Sequence, residues 1–167
     1  MELDKIYIRP FRKDEWELFK AKRLQALQDM PNVFLSTYGA AAAQRDEFWQ
    51  DLIGAEKTEI FGLFDDQKLI GITGAFENWR DETGKTANFG MSYLDAGYRG
   101  KGLSRLLYQA RIDWARAKGF EKVAVGHREG NEVSKAANQK FGFVFYEKEE
   151  IDFPDGRAMD YRYELKL

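Results

Sequence analysis

The stretch Gly97-Tyr98-Arg99-Gly100-Lys101-Gly102-Leu103-Ser104-Arg105 decides how the rest of the chain reads. An apolar segment precedes it and ends near Leu94. After it, Leu103, Leu106, Leu107, Ala110, Trp114 and Ala117 recur at helical spacing, which predicts one apolar helix face. A strand therefore runs into a glycine-rich, basic turn, and the turn opens a helix. The first amides of a helix have no partner inside it, and the helix dipole adds positive character at the same end. Glycines let a backbone approach an anion closely, and Arg99, Lys101 and Arg105 add full charges. Three glycines and three cations in nine residues point to a phosphate-bearing ligand rather than an ordinary solvated turn.

Two familiar phosphate motifs fit badly. A P-loop needs Lys and then Ser or Thr directly after its last glycine, whereas Gly102 is followed by Leu103 and Ser104. A dinucleotide fingerprint needs a third glycine where this chain has Arg105, and belongs on the first strand of its unit rather than past mid-chain.

Working outward, Ile6 and Ile8 begin a strand that ends at Pro10. Asp14 can cap a helix running to about Asp29, and Met30-Pro31-Asn32 breaks it. Gly39 to Ala43 reads as small and flexible, ahead of a helix carrying Phe48, Trp49, Leu52 and Ile53. Strands are expected around Ile60 to Phe64, from Lys68 to Phe76 and from Thr86 to Leu94, with turns at Asp65-Asp66 and at Asp81 to Lys85. After the long helix come a short strand at Val123 and Val125 and a helix from Glu132 to Lys140. Strands from Phe143 and from Met159 follow, joined by Pro154-Asp155-Gly156. This order predicts a mixed α/β sheet with helices packed on it.

Composition narrows the function. At 167 residues the chain is long enough for a real core, and 13 Phe, 8 Tyr and 4 Trp argue against disorder. A net charge of −2 gives no support for nucleic-acid binding. With no cysteine there are no disulfides, no zinc-thiolate sites and no Cys nucleophile, and no metal is expected. No signal peptide or membrane-length apolar run is read, so a cytoplasmic location is the default expectation.

The motifs resemble those of the GNAT superfamily of N-acetyltransferases. Arg99, Gly102 and Ser104 sit at the defined positions of its motif A, Q/R-x-x-G-x-G/A, with Ser in the last place. Asn131 to Ser134 and Lys140 to Phe143 are similar to the second signature, N-x-x-A/S…K-x-G-F. Pro31 to Phe34 and Phe48-Trp49 look like acceptor-side segments of some members. The resemblance implies one GNAT-type domain over residues 1–167, a mostly antiparallel twisted sheet of about seven strands and about four helices. It also implies acetyl-CoA as co-substrate and acetyl transfer to a primary amine. The expected partner is a small-molecule or peptide amine; neither nucleic acid nor membrane is expected, and a homodimer is left open.

Carried over residue by residue, the resemblance assigns the pyrophosphate to Arg99, Gly100, Lys101, Gly102, Leu103, Ser104 and Arg105. Ser92, Tyr93 and Leu94 would hold the pantetheine arm, with the amide of Leu94 polarising the thioester carbonyl. Asn131 would bond the cofactor or cap its helix. Asn138 stands where many members carry a Tyr that protonates the thiolate, and an amide cannot give up that proton. For the base, Glu77 and His127 are candidates, with Glu129 and Asp152 as further options. Phe34, Tyr38 and Trp79 are expected to line the acceptor pocket. Asn138 and the lack of a carboxylate on the strand before motif A also allow a non-catalytic acyl-CoA sensor. A nucleotide-binding module unrelated to CoA is a third reading.

Overall fold

Four strands, β1 (Ile6–Pro10), β2 (Thr58–Asp65), β3 (Lys68–Glu77) and β4 (Thr86–Leu94), pair antiparallel in chain order. Next to β4 lies β5 (Lys122–Arg128), parallel to it, and β7 (Gly156–Lys166) and β6 (Val144–Phe153) complete the sheet. The computed structural model describes residues 2–167, so Met1, where the chain begins, lies outside it. The sheet has seven strands in the order β1-β2-β3-β4-β5-β7-β6, the mixed, mostly antiparallel architecture expected.

Five helices pack on the sheet among the described residues, one more than expected: α1 (Trp16–Asp29), α2 (Tyr38–Ala42), α3 (Asp46–Leu52), α4 (Ser104–Ala117) and α5 (Glu132–Lys140). The extra one is α2, in the segment read as flexible. Its run of alanines favours helix, and the Thr37 hydroxyl caps it by accepting from the Ala40 amide at 3.1 Å.

Alternation along the strands sends the core to both faces. Ile60, Phe64 and Ile72 meet Phe19 and Ala26 of α1 and Trp49 of α3. Leu63 points the other way, and so does Ile70 at a β2–β3 register shift, both onto Leu103 and Leu107. Farther along α4, Tyr108, Ile112 and Ala115 pack with Phe89, Val123, Phe143 and Tyr163. Each such fully buried large apolar side chain contributes about 1.5–3 kcal/mol.

The buried face of α4 differs from the expected stripe. Leu107, Tyr108, Arg111, Ile112 and Ala115 are buried, while Ala117 is exposed. Hydrophobic periodicity counts Tyr108 and Arg111 as solvent residues, and here both are packed inward.

One irregularity positions everything that follows. β4 and β5 pair over only three positions, Thr86 with Lys122, Ala87 with Val123 and Asn88 with Ala124. Beyond Asn88 the strands part. β4 carries a register shift against β3 between Ile72 and Gly74, and Met91 there has φ of 60°. A bulge of this kind bends a strand and turns its side chains.

Candidate active site

The parted strands open a cavity of about 630 Å³. Phe89 to Ser92 of β4 and Ala124 to Arg128 of β5 form its two sides. Tyr108 and Arg111 reach it from α4, Asn131, Ser134 and Asn138 from α5, and Phe34 and Trp79 from loops. Ser92 is pinned on the β4 side by a 2.7 Å hydrogen bond between its Oγ and Thr73 Oγ1.

On α5, Asn131 is the N-cap: its Oδ1 accepts from the Ser134 amide at 3.2 Å. Two turns on, Asn138 is 1 % exposed. Its Oδ1 accepts from the Tyr108 hydroxyl, and its Nδ2 is buried without a partner. A buried donor left unmade costs free energy, so a group that accepts from Nδ2 within the cavity gains that energy back.

The glycine turn forms a second feature. Gly100 and Gly102 have φ of 73° and 78°, a backbone region that favours glycine. No hydrogen bond within the described residues takes up the amides of Gly100 to Arg105. A Cβ at Gly100 or Gly102 would meet nothing within 4 Å, so the turn faces open space. Lys101 and Arg105 form no ion pair among the described residues. Arg99 is engaged: its Nε donates to the Leu94 carbonyl at 2.8 Å and its guanidinium lies 5.3 Å from the Tyr93 ring centre. Free amides and free cations together make a cradle for an anion.

Several expected site residues lie elsewhere. Tyr93 is 3 % exposed in the α1-side core, and its hydroxyl donates to Asp29 and accepts from Gln25. Burial, reinforced by the Asp29 carboxylate, pushes that phenol up to about 12. The Leu94 side chain packs with the α4-side core, and neither residue lines the cavity. The bulge at Met91 is the reason: it brings Gly90 to Ser92 to the opening and carries the next two residues past it. Tyr38 starts α2, is half exposed and does not reach the cavity. Phe34 and Trp79 do reach it, Trp79 with Arg80 laid 5.1 Å from its ring.

The expected bases fare unequally. Glu77 sits at the rim, exposed, 3.4 Å from Lys57. His127 lines the cavity but has both nitrogens occupied. Its Nδ1 donates to the Arg128 carbonyl at 2.8 Å, since a carbonyl only accepts, and its Nε2 accepts from the Tyr163 hydroxyl at 3.1 Å. Neither nitrogen is left for a substrate proton.

Asp160, on β7, was not among the candidates. It lines the cavity and accepts from Arg162 Nε at 3.0 Å. Burial raises its carboxyl above the usual aspartate value, against the lowering effect of Arg162. Gly126 leaves the room it needs, because a Cβ there would come within 2.9 Å of Asp160 Oδ1. Two buried arginines, Arg23 and Arg111, also went unread. An alternating strand conveys nothing about which carboxylate faces a gap, and a lone Arg in a helix reads as solvated.

The model of the acetyltransferase (GNAT) family matches residues 22–143, well over half of the chain. The chain belongs to the GNAT acetyltransferase family. A GCN5-related N-acetyltransferase from Kribbella flavida superposes on this GNAT protein with a TM-score of 0.80 at 18% identity, covering 99% of this chain and 100% of that one. The yncA protein of Salmonella typhimurium, solved with its cofactor acetyl-CoA, gives 0.81 at 17%, covering 97% and 94%. Spermidine N-acetyltransferase from Vibrio cholerae, in complex with CoA and spermine, gives 0.77 at 16%, covering 98% and 96%. At these identities the likeness is one of fold. No curated protein matches this acetyltransferase by sequence.

Proposed function

We propose that this GNAT acetyltransferase moves the acetyl group of acetyl-CoA directly to a primary amine, both substrates being bound together. The observation that carries the reading is the unpartnered Asn138 Nδ2 in the wall of the gap between β4 and β5. A donor buried there suits a ligand that enters the gap with an acceptor atom. The free amides of Gly100 to Arg105 would hold the pyrophosphate, with Lys101 and Arg105 adding charge. Gly90 to Ser92 would border the pantetheine arm.

Bound acetyl-CoA supplies the thioester: the amine nitrogen bonds to the acyl carbon, the C–S bond breaks, and CoA leaves as its thiol. In all, two protons leave the ammonium nitrogen, one ending on that thiol and one in solvent. Asp160 is the carboxylate best suited to take the proton bound for solvent, because its raised pKa brings it nearer to the amine it must deprotonate. Asn138 Nδ2 would donate to the sulfur or the acyl oxygen as charge gathers there. The amine would enter past Phe34 and Trp79.

Initial rates of thiol release, with acetyl-CoA and an amine varied together, test this. Intersecting double-reciprocal lines are the expected result, and parallel lines would contradict direct transfer. A non-catalytic acyl-CoA sensor is the second reading, favoured by Asn138 and by the fully bonded His127. Turnover of any amine excludes it.

A further inference from the structure

Arg23 projects from α1 into the cavity beside Phe34, where the amine would enter on the reading above. It is 5 % exposed and makes no hydrogen bond or ion pair among the described residues. Its Nη1 is shut off from solvent with no partner. The guanidinium lies 4.6 Å from the Phe34 ring centre, a contact that satisfies none of its N–H groups. No carboxylate offsets the cost of burial, which alone pulls its pKa down to about 10. An unpaired buried charge is among the costliest features a fold can retain.

Most of the other charged groups of the cavity are already paired. Arg80 pairs with Glu149 at 3.0 Å, Arg128 with Asp155 at 2.6 Å, and Arg162 with Asp160 at 3.0 Å. Glu77 is turned to Lys57 at 3.4 Å. Arg111 is the second unpaired guanidinium, but it comes from α4 on the opposite face of the sheet, beside Tyr108 and Asn138. Its Nε donates to the Leu107 carbonyl at 3.0 Å. The charge left over at the acceptor end is therefore positive and belongs to Arg23.

We propose that the acceptor is an amine that also carries a carboxylate, and that Arg23 binds that carboxylate. The proposal rests on the transferase reading above. A guanidinium presents a planar pair of N–H groups that matches the two oxygens of a carboxylate. One guanidinium against an aromatic ring suits a single negative charge better than a phosphate dianion. A polyamine fits poorly, because its second ammonium would lie in the field of Arg23. An α-amino acid, with ammonium and carboxylate on one carbon, has the required pair of charges.

The test compares matched acceptors by thiol release: each standard L-amino acid, its α-amide, and spermidine. The wild-type protein should acetylate at least one amino acid, with kcat/KM at least about tenfold above its amide and above spermidine. Arg23→Met keeps an apolar stem on Phe34 and removes the buried charge. It should raise the Tm, bind acetyl-CoA as before, and reduce the preference for the carboxylate to near unity, mainly through KM. Arg23→Lys should keep part of the preference. Amides or spermidine used as well as the amino acids would overturn the proposal. So would an Arg23→Met protein that keeps its preference, or acetyl-CoA binding with no amino acid acetylated. If Arg23→Met does not fold, the wild-type ratios decide alone. Failure of the wild-type protein to bind acetyl-CoA, read separately by calorimetry, would bring down the transferase reading itself.

Discussion

The Tyr108 hydroxyl donates to Oδ1 of Asn138, and this contact between α4 and α5 turns the Asn138 amide so that its NH₂ group has no protein partner. Asn138 stands on α5 where many members of the family carry a tyrosine, and its partner Tyr108 comes from α4. Asn138→Ala should therefore do two things. It should lower kcat by about tenfold or more, as loss of a polarising donor does. It should also lower stability by about 1–3 kcal/mol, because the buried Tyr108 hydroxyl loses its acceptor. Tyr108→Phe should cost about 1 kcal/mol and affect kcat less. Steady-state kinetics and thermal melts of both variants separate the two effects, and an unchanged kcat in Asn138→Ala would remove Asn138 from the chemistry.

The glycine turn makes a different prediction. Gly102 has φ of 78° and open space where a Cβ would stand, so a side chain there strains the backbone without clashing. Gly102→Ala should cost about 1 kcal/mol of stability. Gly102→Asp adds a negative charge to the cradle and should weaken acetyl-CoA binding by at least about a hundredfold. A folded Gly102→Asp protein with unchanged affinity would show that the turn does not hold the phosphates.

Asp160 works as a base only when ionised, and burial holds its carboxyl above the ordinary aspartate value. The pH profile of kcat/KM should therefore rise through that raised pKa and then level. Asp160→Asn should lower kcat/KM and remove the rising limb. Gly126→Ala should act in the same direction, by pressing a methyl group within 2.9 Å of Asp160 Oδ1. A rising limb that survives in Asp160→Asn would assign the proton to another group.

Away from the site, Arg9 donates to both oxygens of Glu15, at 2.8 and 2.9 Å, and the Arg12 amide donates to the same carboxylate at 2.8 Å. The Arg9 contact is the larger cause holding Glu15 down at about 2. A carboxylate whose pKa falls on folding stabilises the fold above its unfolded value and loses that contribution as pH falls through the folded one. Glu15→Gln should therefore cost up to about 1 kcal/mol near neutrality. That cost should shrink between the ordinary glutamate value of 4.5 and about 2. Melts of wild type and variant across that window check it, and a difference that stays constant would refute the pairing.

Much of the frame was legible in the residues themselves. The Gly97–Arg105 turn, the boundaries Thr86 to Leu94 and the helix Glu132 to Lys140 follow from periodicity and punctuation, and the structure has them in place. The site was legible in part. Phe34, Trp79, Ser92, His127, Asn131 and Asn138 line the cavity as a group. The Tyr93 and Leu94 side chains lie outside the cavity, just past a bulge at Met91, and no residue type announces a bulge at a methionine. Tyr38 lies outside the cavity, on a segment that alanine-rich sequence helps make a helix where a loop was expected. Arg23, Arg111 and Asp160 were missed for a common reason. Charged side chains read as solvated until tertiary packing shows that nothing in the protein pairs with them or that burial shifts them.

Calorimetric titration of the purified protein with acetyl-CoA, with ATP as control, asks directly which ligand the glycine turn and the gap take. Micromolar binding of acetyl-CoA at one site per chain, with no binding of ATP, is the expected result. Folded protein that binds ATP equally well, or does not bind acetyl-CoA at all, would contradict it.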